Sequence, residues 1–338
     1  MRRFLPLLLA ILLIVAGGAY AGYWVYAADM VRVGIDDWIA EQRARGLDIR
    51  TTNLDVGGFP LRLEAGARAI TLADGNRLVW QSAALTASAR PWRLTRIAYT
   101  LDGRQSLSVA GDFPLRLTAA AGSGEIRLAG NGGIAAGSLA LSEPALRLPI
   151  NVGLLRADGL DLRISEATGD RPGGTIAAGG DAWRLTLPMS PLPALGTLVE
   201  QAGADVVVTG PVPAAPHRSA LAAWRDDGGT VEIERLTLRW GPVSVEATGT
   251  VTLDAALQPR GTLNARIQGF LEAVDALVEA GIVAAKDAGL VKAGLTLLAG
   301  APGPDGVATL TAPLALENRR LFLGPIQLGE IQPIVWPR

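Results

Sequence analysis

An uncharged segment of 25 residues near the N-terminus, Phe4 to Ala28, directly follows the basic pair Arg2-Arg3. In a helix that rises about 1.5 Å per residue, such a segment can cross a bilayer core of about 30 Å. Basic residues stay on the cytoplasmic side of a membrane, so we expect the rest of the chain to lie outside the cytoplasm. We predict a membrane anchor over residues 1–28, defined by Arg2, Arg3, Phe4, Leu8, Leu12, Tyr23, Trp24 and Tyr26.

The same segment also fits a cleaved secretory signal. Phe4 to Ala16 has the length of a signal's apolar region, and Ala19-Tyr20-Ala21 has the small-residue form of a cleavage site. However, the apolar run continues through Tyr23 and Trp24, and these residue types concentrate at membrane–water boundaries. We therefore favour an uncleaved anchor, and a purified protein that begins at Gly22 would contradict it.

Composition limits the classes of function that the chain can serve. The 338 residues are 49% hydrophobic, which is enough to bury a substantial core beyond the anchor. The net charge is −1 and the basic residues are scattered, so no electrostatic footprint for nucleic acid is present. Cysteine is absent, which excludes disulfides, thiolate catalysis and cysteine-ligated zinc.

The catalytic inventory is equally sparse. The single histidine, His217, cannot build a histidine-based metal cluster and is expected to be an exposed loop residue. No serine stands in the G-x-S-x-G form of a hydrolase nucleophile, and the glycine-rich turns lack the Lys-Ser/Thr of a phosphate-binding loop. We expect a protein that is not an enzyme, with no catalytic residues, no cofactor and no bound metal.

Most of the remaining chain alternates apolar and polar residues with a period of two, as β-strands with one dry face do. Val243, Val245 and Ala247 show the pattern clearly. In the preceding strand the phase slips near Glu234-Arg235, which predicts a β-bulge there. Glycine-bearing turns are expected between strands at Gly122-Ser123-Gly124, Gly132-Gly133, Gly173-Gly174, Gly179-Gly180 and Gly228-Gly229.

Helical patterns are fewer. Asp29 to Arg45 has helical spacing and stops at Gly46, which predicts a membrane-proximal helix over residues 29–46. Phe270 to Ile282 carries a second apolar stripe. Weaker helices are predicted at Pro191–Gln201 and Ala215–Arg225, and Ala284–Leu298 is compatible with helix or strand. The proline-rich connector at residues 211–216 predicts a division into an N-terminal β-sheet segment, 47–210, and a C-terminal segment of sheet plus helices, 211–338.

Several motifs together resemble a known family. The order of basic pair, apolar segment, helix with Trp38 and Gly46, and then Gly58-Phe59-Pro60-Leu61-Arg62-Leu63 is similar to the proteobacterial envelope family labelled domain of unknown function 2125. The run from Gly228 to Leu263 shows a weaker resemblance to the AsmA-like group. These resemblances imply a mainly β protein with a few helices, in which a transmembrane helix is followed by an elongated, curved antiparallel sheet. They also imply an inner-membrane location with the main domain in the periplasm.

Three functions follow from these observations. The first is a non-enzymatic, single-pass inner-membrane protein whose apolar sheet face binds phospholipid or other apolar chains, or supports cell-envelope assembly. The second is an assembly scaffold that binds envelope proteins and no small ligand. The third, the least favoured, is a carboxylate-based hydrolase in which two acids converge in the fold. Expected partners are the membrane, apolar chains and envelope assembly proteins, without nucleic acid.

Overall fold

The computed structural model describes residues 5–75, 77–110, 114–148, 153–166, 175–210, 217–299, 307–324 and 326–336. Several residues singled out above lie outside these ranges: Arg2, Arg3, Phe4, the connector 211–216 and Gly173-Gly174. Leu8 lies in a described helix, but its side chain is outside the described part.

The described chain is mainly β, as predicted. The helices are α1 (Leu5–Ala44), α2 (Arg218–Asp226), α3 (Phe270–Glu279) and α4 (Ala288–Ala299), with a 3-10 turn at Pro193–Leu195. The first strands are β1 (Leu47–Gly57), β2 (Leu63–Asp74), β3 (Leu78–Arg90), β4 (Arg93–Val109), β5 (Leu115–Ala119), β6 (Ala121–Leu128) and β7 (Ile134–Ser142). The later strands are β8 (Ala145–Arg147), β9 (Leu154–Arg156), β10 (Gly159–Glu166), β11 (Thr175–Thr186), β12 (Leu198–Thr209), β13 (Thr230–Trp240), β14 (Val243–Leu253), β15 (Pro259–Gln268), β16 (Thr309–Glu317), β17 (Arg320–Leu323) and β18 (Ile326–Glu330).

The chain forms two compact units, the first ending at Leu141 and the second beginning at Ser142. In unit 1, β1 to β4 pair antiparallel in sequence order, and both β5 and β6 pair with β4. In unit 2, β10 to β18 pair antiparallel in sequence order. The division predicted at residues 210 and 211 falls inside unit 2, between β12 and α2.

Helix α1 is continuous from Leu5 to Ala44, so the predicted membrane-proximal helix extends the apolar segment without a break. Its 40 residues span about 60 Å. Gly46 follows the helix with φ +96°, a conformation that favours glycine and confirms the predicted end. Within the described residues, no helical stretch combines the length and apolarity that a membrane crossing requires.

Two of the predicted glycine turns are wrong. Gly122 and Gly124 lie inside β6, and Gly179 and Gly180 lie inside β11. These glycines do not form turns; because they have no Cβ, neighbouring strand atoms can lie close to their backbone. A Cβ on Gly124 would lie 2.0 Å from the Ser138 carbonyl oxygen, which accepts a hydrogen bond from the Tyr99 hydroxyl. In contrast, Gly132 and Gly228 adopt positive φ in the predicted turns.

The predicted bulge in β13 is confirmed. The register between β13 and β14 shifts between Ile233 and Leu236, and the register between β12 and β13 shifts opposite it. The extra residue keeps Ile233 and Leu236 on one face of the sheet and leaves Arg235 on the other.

Three helix predictions have different outcomes. The helix predicted at Pro191–Gln201 is wrong: only a 3-10 turn forms, and β12 begins at Leu198, where the strand buries Val199 against Leu195. The ambiguous Ala284–Leu298 segment is largely helical, as α4. The helix predicted at Ala215–Arg225 is confirmed as α2, and His217, exposed as predicted, also caps it, because its Nδ1 accepts a hydrogen bond from the Ala220 amide at 3.3 Å.

The main apolar core of unit 2 lies between the sheet and α3 and α4. Phe270 and Val274 of α3 pack with Leu295 of α4 against Leu310 and neighbouring side chains of β16 and β17. On its other side, α3 contributes Ala276 to a cluster with the 3-10 turn and β12 to β14. The helices therefore cover one apolar face of the sheet over its C-terminal strands.

Candidate functional site

Two aromatic side chains of α1 hold the helix to loops of unit 1. The Tyr23 hydroxyl donates a hydrogen bond to the Pro91 carbonyl at 2.9 Å, in the turn between β3 and β4. Trp24 Nε1 donates to the Arg62 carbonyl at 2.9 Å, in the loop between β1 and β2. We call these two loops, residues 58–62 and 91–92, the aromatic loops. Each bond satisfies a backbone carbonyl that no strand pairs, so the bonds fix the helix beside the loop tips.

The loop between β1 and β2 is shaped by glycine and aromatic packing. Gly58 has φ +98°, and a Cβ there would lie 2.8 Å from the Arg62 carbonyl oxygen. The following Phe59-Pro60 peptide is cis. The Phe59 ring meets the Trp24 ring edge to face at a centroid distance of 5.4 Å, and the Pro60 carbonyl accepts a hydrogen bond from the Tyr20 hydroxyl. The helix and the loop thus pack together through aromatic side chains.

The aromatic loops also present large apolar side chains to solvent. Phe59, Leu61 and Trp92 are all exposed, and the Trp92 residue is 60% exposed. On α1, the exposed apolar residues on the N-terminal side of this contact are Leu12, Leu13, Ile14 and Val15. Exposed large apolar side chains gathered in one place commonly mark a surface that meets a membrane or another protein.

The structure brings together some of the residues singled out by sequence and separates others. Tyr23 and Trp24 of the predicted anchor meet Gly58, Phe59 and Pro60 of the family-like motif. Trp38 lies 14 residues beyond Trp24 on α1, about 21 Å along the helix, and does not join this contact. Gly46 only ends the helix, while Leu12 and Tyr26 are exposed. Sequence reasoning missed Tyr20, Arg62 and Pro91 as parts of the contact.

A second feature is a row of residues paired across the sheet of unit 2, which we call the apolar row. In register order it consists of Leu162, Gly180, Ala204, Leu236, Ala247, Ala265 and Ala312. Its exposure falls along the row, from 42% at Leu162 to 1% at Ala265. The sheet face is therefore covered over β14 to β16 and open at β10, where Leu162 and Ile164 are exposed beside the small residues of β11.

The opposite face of unit 2 carries an ion-pair network over four adjacent strands. Arg235 Nη1 lies 2.8 Å from Asp181 Oδ1, and Arg235 Nε lies 2.5 Å from Asp205 Oδ2. Arg163 Nη2 contacts the same two carboxylates at 2.9 and 3.1 Å. Asp181 is the most enclosed member, with its side chain 12% exposed. Each carboxylate is thus shared by two guanidinium groups.

Glycines make room for this network. Gly179 is paired with Asp205 and Gly203 with Asp181, and a Cβ on either glycine would lie 2.2 Å from the facing carboxylate oxygen. Hydrogen bonds from Arg235 hold the pKa of both carboxyls below their usual value, against a smaller opposing effect of burial. These converging acids are fixed as charged acceptors, so they lack the proton that a general acid needs. We interpret the network as structural.

The comparisons with known proteins identify a family without a described activity. The family model described as "Uncharacterized protein conserved in bacteria (DUF2125)" matches residues 24–332, which is nearly the whole chain. This match confirms the resemblance found in the sequence. No curated protein and no solved structure matches the chain. The weaker resemblance to the AsmA-like group stays a prediction.

Replacing Trp24 by Phe should loosen the loop between β1 and β2. The variant keeps an aromatic ring but loses the hydrogen bond to the Arg62 carbonyl, which is worth about 1 kcal/mol. The Arg62 amide, which donates to the Gly58 carbonyl at 3.1 Å, should then exchange about fivefold faster in hydrogen–deuterium exchange. Trp38→Phe, on the exposed C-terminal part of α1, is the matched control and should leave this amide unchanged. Equal exchange in all three proteins would contradict the contact.

The network on unit 2 should make stability sensitive to acid. The pKa of Asp181 and Asp205 is lower in the folded chain than the ordinary 3.8, so the unfolded chain takes up protons first as the pH falls. Stability from the network is therefore present above about pH 5 and lost as the pH falls through about 4 and below. The free energy of unfolding, measured with urea, should fall less between pH 6 and pH 3 for Asp181→Asn/Asp205→Asn than for the native chain. Asp161→Asn, on the neighbouring strand, should keep the native pH dependence; the same dependence in the double variant would refute the assignment.

Proposed function

The chain belongs to the DUF2125 family, and we propose that it is a non-enzymatic, membrane-anchored protein of the bacterial envelope that binds the acyl chains of lipids on the open part of the unit 2 sheet. The observation that carries this proposal is the exposure gradient along the apolar row. The sequence pattern predicts that one face of the unit 2 sheet is apolar across all its strands. Protein covers only part of that face.

The open part of the face has the apolar chemistry that an acyl chain needs. Leu162 and Ile164 of β10 stand beside Gly180 and Ala178 of β11, which are their paired neighbours. These paired side chains make this part of the face apolar. Leu162 and Ile164 are about half-exposed, so covering each contributes about 1 kcal/mol, roughly half the value for burying a fully exposed side chain.

The N-terminal features support a membrane location for the protein. The apolar side chains of α1 from Leu12 to Val15 are exposed to solvent, and each such exposure is unfavourable in water. Tyr23 and Trp24 follow them at the position where aromatic side chains meet the membrane–water boundary. With Arg2-Arg3 on the cytoplasmic side, units 1 and 2 lie in the periplasm and α1 is a single-pass inner-membrane anchor.

A second candidate function is an assembly scaffold that binds an envelope protein. It is favoured by α4, whose inner side chain Leu295 is buried while Leu290 and Leu297 point outward, the latter 85% exposed. These two leucines are seven residues apart and share one side of the helix, as the anchors of a helix–helix interface do. A scaffold of this kind needs no lipid on the sheet.

Lipid retention by the full chain tests the leading proposal. Native mass spectrometry of the protein purified in mild detergent should show bound phospholipid. Leu162→Asp/Ile164→Asp should reduce the retained fraction about tenfold, since each change places a charge where an acyl chain packs. Ser165→Asp, on the same strand but the opposite face, is the control and should retain lipid like the native chain.

The same measurement separates the two candidate functions. Lipid retained equally by native chain and double variant would refute binding on the open face. Lipid-free native protein, with Leu290→Asp/Leu297→Asp abolishing protein crosslinks formed in membranes, would replace the leading proposal by the scaffold.

A further inference from the structure

Unit 1 contains a cavity of about 390 Å³ at the end of the sheet that carries the aromatic loops. This volume lies in the range of small-ligand sites, which is about 300–1,000 Å³. Its charged lining consists of Arg62, Arg90, Arg93, Arg96 and Glu125. We call it the arginine cavity.

The charge of the arginine cavity is unbalanced. Glu125 Oε1 is paired with Arg96 Nε at 3.2 Å. Among the described residues, Arg62, Arg90 and Arg93 form no salt bridge, so four guanidinium groups face one carboxylate and leave a net formal charge of +3. The four arginines are exposed, so water screens their mutual repulsion, but an anion among them still meets a net positive charge. Guanidinium groups bind phosphate oxygens through paired N–H donors, which makes phosphate the best-matched anion.

The surroundings of the cavity indicate where such a phosphate comes from. The Arg62 carbonyl accepts the hydrogen bond from Trp24, while the Arg62 side chain lines the cavity. Arg90 and Arg93 flank the Pro91-Trp92 turn, and the Pro91 carbonyl accepts the hydrogen bond from Tyr23. One lining residue, Arg62, therefore lies in an aromatic loop, and Arg90 and Arg93 are the strand residues on either side of the other loop. The aromatic side chains Tyr23 and Trp24 mark the boundary level of a membrane, where lipid phosphates lie.

Exposed apolar side chains beside the lining arginines in the sequence argue against a free anion, since Leu61 precedes Arg62 and Trp92 precedes Arg93. Phe59, Leu61 and Trp92 project from the aromatic loops into solvent. A soluble phosphate would gain nothing from them, whereas the acyl or glycerol part of a lipid would cover them. Cationic and apolar groups together therefore fit an amphiphile with an anionic head.

We propose that the arginine cavity binds the phosphate headgroup of an anionic phospholipid, with its apolar part against Phe59, Leu61 and Trp92. Arg62, Arg90 and Arg93 contact the phosphate, and Glu125 holds Arg96 in position at the edge. The proposal rests on the membrane location in the proposed function. It does not depend on acyl-chain binding at the apolar row of unit 2.

The test compares headgroup selection with total lipid retention. The full chain is reconstituted in nanodiscs with equimolar phosphatidylcholine and phosphatidylglycerol, and native mass spectrometry measures the ratio of the two lipids that stay bound. The native chain should enrich phosphatidylglycerol. Arg90→Gln/Arg93→Gln should lower the enrichment, by up to about fivefold for each arginine, while total retained lipid stays the same.

Two further variants test whether a general loss of positive charge or a failure to fold explains the result. Arg68→Gln/Arg104→Gln removes the same charge from exposed positions of unit 1 outside the cavity and should keep the native enrichment. Arg90→Lys/Arg93→Lys keeps the charge but not the paired donors, so it should restore part of the enrichment and show that the chain still folds.

The outcomes are distinct. Equal enrichment in the native chain and the glutamine variant, or an equal loss in the Arg68/Arg104 control, would overturn the proposal. Inorganic phosphate that binds the detergent-solubilised native chain in isothermal titration calorimetry but not Arg90→Gln/Arg93→Gln, without any phosphatidylglycerol enrichment in nanodiscs, would assign the cavity to a soluble phosphate instead. Loss of total lipid in Leu162→Asp/Ile164→Asp with unchanged headgroup selection would confirm the two sites as separate.

Discussion

The hydrogen bonds from Tyr23 and Trp24 to loop carbonyls are the constraint on which the organisation of unit 1 depends. Loop carbonyls at a sheet end have no strand partner, and here aromatic side chains of a helix supply the donors. The position of α1 is thereby fixed, together with the direction in which its exposed apolar part points. The arginine cavity lies beside the same contacts, because Arg62 belongs to one of these loops and Arg90 and Arg93 flank the other.

The two faces of the unit 2 sheet differ in chemistry: one is apolar and the other carries ion pairs. On one face, small residues and covering helices build the core but leave β10 and β11 open. On the other face, Gly179 and Gly203 have no side chain, and this leaves room for Asp181 and Asp205 to lie between two arginines. The network ties β10, β11, β12 and β13 together, and on the opposite face of β10 the described side chains Leu162 and Ile164 are exposed. Ion pairs on one face thus stabilise the strands on whose other face we propose that acyl chains bind.

Local patterns predicted much of this fold, whereas long-range contacts escaped prediction. The period-two alternation around Val243 identified a strand, and the phase slip at Glu234-Arg235 identified its bulge, because both are properties of neighbouring residues. The same glycine pair can make a turn or admit a neighbouring side chain, so Gly179-Gly180 was misread. The arginine cavity joins Arg62 to Arg96 and Glu125 through strand pairing, and no spacing in the sequence reveals it. The role of His217 as a helix cap could not be predicted either, because it depends on the residue at which α2 begins.

The central claim is that the aromatic loops lie at a membrane surface, and the depth of Leu61 tests it most directly. The chain has no cysteine, so Leu61→Cys and, on the exposed surface of β4, Arg104→Cys can each carry one fluorophore in the full chain in nanodiscs. Lipids brominated near the headgroup should quench the label at position 61 strongly and the label at position 104 weakly. Equal quenching at the two positions, or quenching of position 61 only by an aqueous reagent, would contradict the account.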